Sequence, residues 1–424
     1  MNVLLIGSGG REHALAYKIK QSLSLTRLFI LPGNPGTSQL GKNINLKSDD
    51  HKAVIDFCTE NKIDLIVIGP EKPLVEGLAD ALRSKGLFVF GPDAKAAEIE
   101  AHKSFAKYMM KKYNIPTAAY EEFTSNQFEE AERYLKAQKY PCVIKADGLA
   151  AGKGVIICND LDEAKKTLED MFIKKVFGSS GEKIIVEEYL SGEEASIFAV
   201  TDGEDFICLP SSQDHKRIGD NDTGKNTGGM GAYSPAPIVT KEIQERVEKE
   251  IINPTLKAMR EEGKKFNGCL YCGLMLTKEG PKVIEYNCRF GDPETQAVLP
   301  LLQGDFLQML SSTAKGRLDK NTVKYSGGAS VCVVVASKGY PDSFEKGFEI
   351  SGLDMSDPEI LIYHAGTAEK QGRVVTSGGR VLGVTAVIGT DNLRTAKEKA
   401  YAAVKKINFK NIYYRTDIAD KALK

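Results

Sequence analysis

The chain has 424 residues, 42% hydrophobic and 27% charged, and its 57 basic and 57 acidic side chains leave no net charge. That length exceeds one ordinary core and implies about two to four domains. The even charge removes any global argument for a nucleic-acid partner, and no run approaches the roughly 18 apolar residues of a membrane span, so no membrane partner is expected.

MNVLLIG opens without a basic segment or a cleavage site, and the expected location is cytoplasmic. The first hundred residues alternate apolar runs (VLLIG, LFIL, LIVIG, LFVFG) with helical segments, and the runs end at GSGG, PGNPG, GPEKP and GPD. This rhythm predicts a parallel doubly wound sheet with ligand loops at the carboxyl edges of its strands. A lysine-rich helix over 101–112 follows, broken by Asn114-Ile115-Pro116. Residues 117–189 read as a compact mixed unit: strand CVIK, glycine-rich hairpin ADGLAAGKG, strand VIIC, a helix over 162–174 and strand IIVEEYL. Residues 190–319 carry antiparallel strands with a helix over 241–262. The last hundred residues form a smaller α+β unit with apolar runs at 329–336 and 381–388 and a helix over 392–406. Eight scattered cysteines read as core residues of a reducing compartment. The Cys269-x-x-Cys272 pair lacks the second pair a structural zinc needs.

The segment IEYNCRFGDPE, 284–294, carries the sharpest chemistry. Side chains two apart on a strand share a face, so Glu285 and Asn287 aim a carboxylate and an amide oxygen at one point. Two hard oxygens with room for water and phosphate suit Mg²⁺. Arg289 continues the alternation and would grip a carboxylate or phosphate beside the metal. Alone, the segment also reads as an exposed polar strand end before a turn.

Three loops compete as the nucleotide site. Gly7-Ser8-Gly9-Gly10-Arg11-Glu12-His13 has two glycines of a dinucleotide fingerprint, but Glu12 stands where the third belongs and no acid follows the second strand. It suits the phosphate of a small molecule at a helix N-terminus. GLAAGKG, 148–154, is one residue short of a P-loop and has Gly154 in place of its hydroxyl residue. It reads as a lid over a triphosphate, with Lys145 and Lys153 beside it. IVEEYL, 185–190, followed by Ser191-Gly192-Glu193, can present backbone groups to an adenine and a carboxylate to a ribose.

A lysine, a glycine lid, a hinge and a carboxylate–amide pair, in that order, resemble the ATP-grasp superfamily. Within it the chain resembles the phosphoribosylamine–glycine ligase family, through NVLLIGSGGREHAL, PGNPGT, GPEKPLV, VIKADGLAAGKGV, SSQDHKRIGDNDTGKNTGGMGAYSPAP, EYNCRFGDPETQ and HAGT. The resemblance implies an N-terminal α/β domain (1–103) that holds phosphoribosylamine and a central ATP-grasp unit. That unit would comprise a lid (104–189) and a larger subdomain with the metal site (190–325), followed by a C-terminal α+β domain (326–424). It also implies joining of glycine to 5-phosphoribosylamine at the expense of ATP, through glycyl phosphate, with Mg²⁺ or Mn²⁺ and as a monomer. By the same resemblance Lys103, Lys145 and Lys153 meet ATP phosphates, Glu187, Tyr189 and Leu190 the adenine, and Glu193 the ribose. Asp214 and Arg289 orient glycine, with Lys145 completing the catalytic set. Gly9, Gly10, Arg11, Glu12, Asn34, Gly36 and Thr37 hold phosphoribosylamine.

Other readings stay open here. Glu12 also suits a helix-start cap, Asp214 a brace for Lys216 or Arg217, and His215 a structural role. Many relatives carry a second metal carboxylate on the preceding strand. That strand here reads LYCGLM, so Asp292, Glu294 or Asp214 would have to supply it. GGMGAYSP, 228–235, reads as a loop that wraps the reacting centre rather than a strand. The competing functions are another ATP-grasp carboxylate–amine ligase, a biotin-carboxylase-like enzyme, and a nucleotide-binding regulatory subunit without catalysis.

Overall fold

In the computed structural model the described residues are 1–149 and 154–423. The first unit is a parallel five-stranded sheet in the order Lys42–Asn43, Arg27–Pro32, Asn2–Gly7, Leu65–Ile68, Val89–Phe90. Alternation along Asn2–Gly7 sends Leu4 and Ile6 into one core and Val3 and Leu5 into another, so both faces are covered as a parallel sheet requires. Strand order reverses between Asn2–Gly7 and Leu65–Ile68, which opens a crevice at their carboxyl ends.

The lysine-rich helix differs from the expected span. Helix Ala94–Ala101 stops at His102, whose φ of -128° and ψ of 104° are extended, and a new helix runs Lys103–Lys112. Its start is capped from the next unit: Asp147 accepts from the Ser104 backbone N–H at 2.6 Å and from its hydroxyl at 3.0 Å.

That next unit is an antiparallel sheet ordered Tyr120–Thr124, Lys183–Glu188, Cys142–Ala146, Val155–Cys158. One face buries Phe123, Cys142, Ile144, Ile184 and Val186 against helices Phe128–Ala137 and Leu161–Phe172. Period-two alternation leaves Lys145, Lys183 and Glu187 on the other face, toward helix Lys103–Lys112.

The central sheet is antiparallel, in the order Phe206–Cys208, Glu193–Thr201, Gly268–Thr277, Gly280–Asn287. The helix expected over 241–262 is present with a wide turn: Lys241–Val247, a π-turn Glu248–Ile252, then Asn253–Glu261. Pro254 lacks the N–H that would continue the ladder there, and the widened turn accommodates its ring.

The C-terminal sheet is built on Ala329–Ser337, Arg380–Ile388 and Ile360–His364, with helix Leu393–Val404 over its apolar face. It is completed by Gly231–Ser234 and Gln213–Asp214 from earlier in the chain. The expectation of a loop at 228–235 is therefore corrected for its second half, which is a strand. The glycines serve close approach instead. Gly229 has φ +105° and a Cβ there would lie 2.4 Å from Pro293, while one on Gly231 would lie 2.7 Å from the Cys332 carbonyl. No helix among the described residues is long and apolar enough to cross a membrane.

Candidate active site

The strand Gly280–Asn287 reaches the site through a bulge. Its register against Gly268–Thr277 slips between Val283 and Glu285, leaving Ile284 unpaired. Before the bulge Val283 points into the core, and after it Tyr286 and Cys288 do so. The extra residue thus turns Glu285 and Asn287 out of the core face and into the cleft. It also frees the Ile284 carbonyl, which accepts from Lys145 Nζ at 2.9 Å.

Glu285 is surrounded by ammonium groups. Lys216 Nζ stands 3.3 Å from its Oε1 and 3.0 Å from Glu194 Oε2. Lys216, then Lys145 and Lys103, hold the Glu285 carboxyl below the usual range, against burial. Lys103 donates to the Gly148 carbonyl at 3.1 Å, where the glycine loop begins; burial and then the Lys145 charge lower its pKa, and Glu285 opposes them. Asp214 is pushed well above the carboxylate range by burial and by Glu294, Glu194 and Glu285, with Lys216 opposing. The cluster is rich in carboxylates and favours an incoming cation.

A buried ion triad stands behind it. Glu187 Oε1 lies 3.0 Å from Lys145 Nζ and 3.2 Å from Lys107 Nζ. Burial, and then the Lys145 charge, bring Lys107 down to about 8, with Glu187 opposing. Glu187, expected at the adenine, spends its carboxylate on orienting these lysines. Only its backbone, on the strand that enters the hinge, remains for a base. Tyr189 is 44% exposed, Leu190 is buried, and Glu193 is exposed with Oε2 3.4 Å from Gln213 Nε2. Lys153 lies outside the described residues. Lys107 was missed in the sequence, although it sits four residues after Lys103 and so on the same helix face.

Arg289 is clamped: Nε meets Glu71 Oε2 at 3.1 Å and Nη2 meets Glu100 Oε1 at 2.9 Å. Glu100 also accepts from the Cys288 N–H at 2.7 Å, and Arg11 joins Arg289 in keeping Glu71 charged despite its burial. The Phe290 carbonyl accepts from both Arg289 (3.3 Å) and Arg11 (3.1 Å), so it ties the end of strand Gly280–Asn287 to the opening loop. Glu71 and Glu100, from two helices far apart in sequence, left no local signal.

The opening loop is tightly bonded. Glu12 takes the Gly9 N–H at 2.6 Å, a helix-start cap, and pairs with Arg11 Nε at 2.5 Å. It is wedged between the ends of two strands: a Cβ on Gly7 or Gly69 would lie 2.3 or 2.2 Å from it. Asn34 donates to the Ser8 and His364 carbonyls at 2.9 and 2.8 Å and accepts from the Gly36 and Thr37 N–H groups at 2.9 and 3.0 Å. Thr37 is fully buried and donates to the Asn34 carbonyl. Gly36 rests on His13 and His364; the His364 N–H donates to His13 Nδ1 at 2.7 Å, and burial brings the two imidazoles down to about 3 and 4. Arg380, absent from the sequence reading, reaches over from the C-terminal sheet to Asp292 (3.1 Å), which also accepts from Gln296 at 2.7 Å. A Cβ on Gly10 would lie 2.7 Å from that same Gln296 amide.

Among the described residues no three His, Cys, Asp or Glu are arranged as a metal cage. The acids weighed as a further ligand have other partners: Glu294 accepts from Tyr271 at 2.9 Å and Asp292 is held by Arg380. A charged Glu285 with Asn287 on the same face fits a hard divalent ion that takes its remaining oxygens from phosphate and water.

The chain matches the phosphoribosylglycinamide synthetase N domain over residues 1–100, the ATP-grasp (A) domain over 101–295 and the C domain over 330–421. It is 48% identical over 419 residues to phosphoribosylamine–glycine ligase of Caldanaerobacter subterraneus, covering 99% of each chain. It is 49% identical over 423 residues to that of Rhizobium meliloti, covering 100% of this chain and 99% of the relative. The chain belongs to the phosphoribosylamine–glycine ligase family. The crystal structure of the Thermotoga maritima member superposes with a TM-score of 0.85 at 36% identity, covering 99% of this chain and 100% of that one. The biotin carboxylase domain of Hydrogenobacter thermophilus 2-oxoglutarate carboxylase shares the fold at a TM-score of 0.73 and 18% identity, covering 97% of this chain and 91% of that one. Family membership places this ATP-grasp fold in purine biosynthesis.

Proposed function

We infer that the chain is an ATP-dependent ligase that joins glycine to 5-phosphoribosylamine, giving glycinamide ribonucleotide, ADP and phosphate. The observation that carries this is the Glu285 cluster, in which a charged carboxylate, Asn287 and the ammonium groups of Lys103, Lys145 and Lys216 share one cleft beside the Asn34 and Arg11 loops.

A glycine carboxylate oxygen attacks the γ-phosphorus of ATP, the bond to the bridging oxygen breaks and ADP leaves. Because phosphoryl transfer is mostly positioning and charge neutralisation, Lys145, Lys103 and Lys216 supply the main terms. Mg²⁺ or Mn²⁺ bound at Glu285 and Asn287 would add a Lewis acid that neutralises the phosphate oxygens. Asp214 takes the glycine ammonium, which returns this carboxyl to its charged form. Arg289, held by Glu71 and Glu100, directs its remaining edge to the glycine carboxylate. The phosphoribosylamine nitrogen then attacks the acyl carbon, the acyl C–O bond breaks, phosphate leaves and the nitrogen loses a proton. The glycine loop, 148–154, excludes water from the labile acyl phosphate. Lys153 would join the phosphate contacts from that loop, and Tyr189, Leu190, the Glu187 backbone and Glu193 would hold the nucleoside. The loops at Gly9–Arg11 and Asn34–Thr37 hold the ribosyl phosphate. We assign the enzyme a monomeric state and the cytoplasm.

The test is ADP release with phosphoribosylamine generated in place, each component omitted in turn. Release that requires both glycine and the amine is expected. Release that responds to bicarbonate and ignores glycine would overturn the assignment in favour of a biotin-carboxylase-like activity.

A further inference from the structure

Arg415 is fully buried and the largest such side chain among the described residues, yet it lies in the C-terminal tail, outside the cleft. Its guanidinium is engaged almost completely. Nε and Nη2 meet the two oxygens of Asp417 at 2.8 and 2.7 Å, and Nη1 donates to Asp222 Oδ1 at 2.9 Å and to the Arg217 carbonyl at 3.0 Å. Arg217 and Asp222 mark the base and tip of a hairpin, Arg217–Gly219 paired with Thr223–Asn226, that begins at the residue after Lys216.

No residue from 217 to 226 is buried, so apolar packing does little to hold this hairpin. Polar bonds hold it instead, most of them from the tail, with Lys225 also paired to Asp342 at 2.8 Å. Asp220 accepts from Thr416 N at 2.8 Å, Asn221 N donates to Asp417 at 2.8 Å, and Tyr413 donates to the Ile218 carbonyl at 2.7 Å. Lys421 adds a pair to Asp222 at 2.6 Å. At the neck, the Lys216 carbonyl accepts from Thr227 N at 2.7 Å and Oγ1 at 2.9 Å, so any shift of the hairpin moves the Lys216 backbone. Among the described residues, Arg415 is the one side chain bonded to base, tip and tail together.

We propose that Arg415 is a positioning residue for the ligase reaction: it fixes the hairpin so that the Lys216 ammonium stands between Glu194 and Glu285. A planar fork with several fixed donors does this where a lysine cannot. The proposal rests on the reading of the Glu285 cluster as the phosphoryl-transfer site.

The test is a double-mutant cycle on the full chain. Arg415→Met is expected to lower kcat at least about tenfold with KM for phosphoribosylamine unchanged, and to change kcat less than about twofold in a Lys216→Met background. Equal fold losses in both backgrounds, or no loss in either, would overturn the proposal. Should Arg415→Met not fold, Asp222→Ala removes one arm of the clamp together with the Lys421 pair and leaves the Asp417 pair intact; it is expected to show a smaller loss with the same non-additivity. Trypsin cleavage after the exposed Lys225 reads the clamp without turnover. Faster cleavage in Arg415→Met than in the parent supports the proposal, and equal rates contradict it even if the parent shows no glycine-dependent turnover and the functional reading falls.

Discussion

Asn34→Asp is the sharpest test of the phosphoribosylamine side, because it changes an amide to a carboxylate of the same shape. The two acceptor bonds from Gly36 and Thr37 survive the change. The two donor bonds do not, and negative charge then faces the buried His364 carbonyl and the partly exposed Ser8 carbonyl. A stripped buried acceptor costs about 1–3 kcal/mol and water can serve the Ser8 carbonyl, so the substitution costs about 1–3 kcal/mol in holding the two loops and the C-terminal sheet together. The new carboxyl can recover one donor by protonation, so the deficit is expected to shrink as pH falls from 8 to 5. The assay pairs thermal unfolding with steady-state kinetics. KM for phosphoribosylamine should rise at least about tenfold while KM for glycine stays within about twofold, given that the loss is local. A variant with the parent's melting temperature and an unchanged KM for the amine would refute the reasoning.

Lys107 gives a pH signature. Its folded value of about 8 lies below the 10.5 of an unperturbed lysine, so the unfolded chain binds more protons between those values and stability rises with pH across that window. Relative to Lys107→Met, the parent should gain about 3 kcal/mol between pH 8 and 10.5, read as a rise of the parent's melting temperature relative to the variant's; a constant difference contradicts the burial argument. The imidazoles act in the same direction in a lower window. His13, His215 and His364 sit at about 3, 4 and 4 against 6.5 unfolded, so stability is lost as pH falls below 6.5. Among the described residues neither ring nitrogen of His215 has a partner, so His215→Leu should retain turnover and move acid unfolding to lower pH; loss of turnover in a folded variant would give that ring a chemical role. Gly36→Ala places a methyl 2.2 Å from His13 and should destabilise by about 1–3 kcal/mol, measured by thermal unfolding.

Much of this architecture is legible in residue order. The strand rhythm of the first hundred residues and the apolar runs at 329–336 and 381–388 each mark strands that the structure contains. The pairing of Glu285 with Asn287 follows from period two alone. What periodicity hides is the bulge at Ile284, since period two puts Val283 and Glu285 on one face and the bulge separates them. Contacts across long sequence separations are equally silent: nothing near Arg289 announces Glu71 or Glu100, and nothing near Asp292 announces Arg380. The glycines of 228–235 mislead for a physical reason. They relieve close approach to Pro293 and Cys332 within and beside a strand, where composition suggests only a loop. Glu12 shows the converse, because a capping role readable from its position proved to be the bond it makes.

The central claim is that the carboxylate of glycine is phosphorylated before the amine attacks. Glycine labelled with ¹⁸O in both carboxylate oxygens tests it directly, with the released phosphate examined by mass spectrometry or by the ³¹P isotope shift. One labelled oxygen in each phosphate formed is expected, because the bridging oxygen of the acyl phosphate departs with phosphorus. Unlabelled phosphate from an enzyme that still makes glycinamide ribonucleotide would contradict the account.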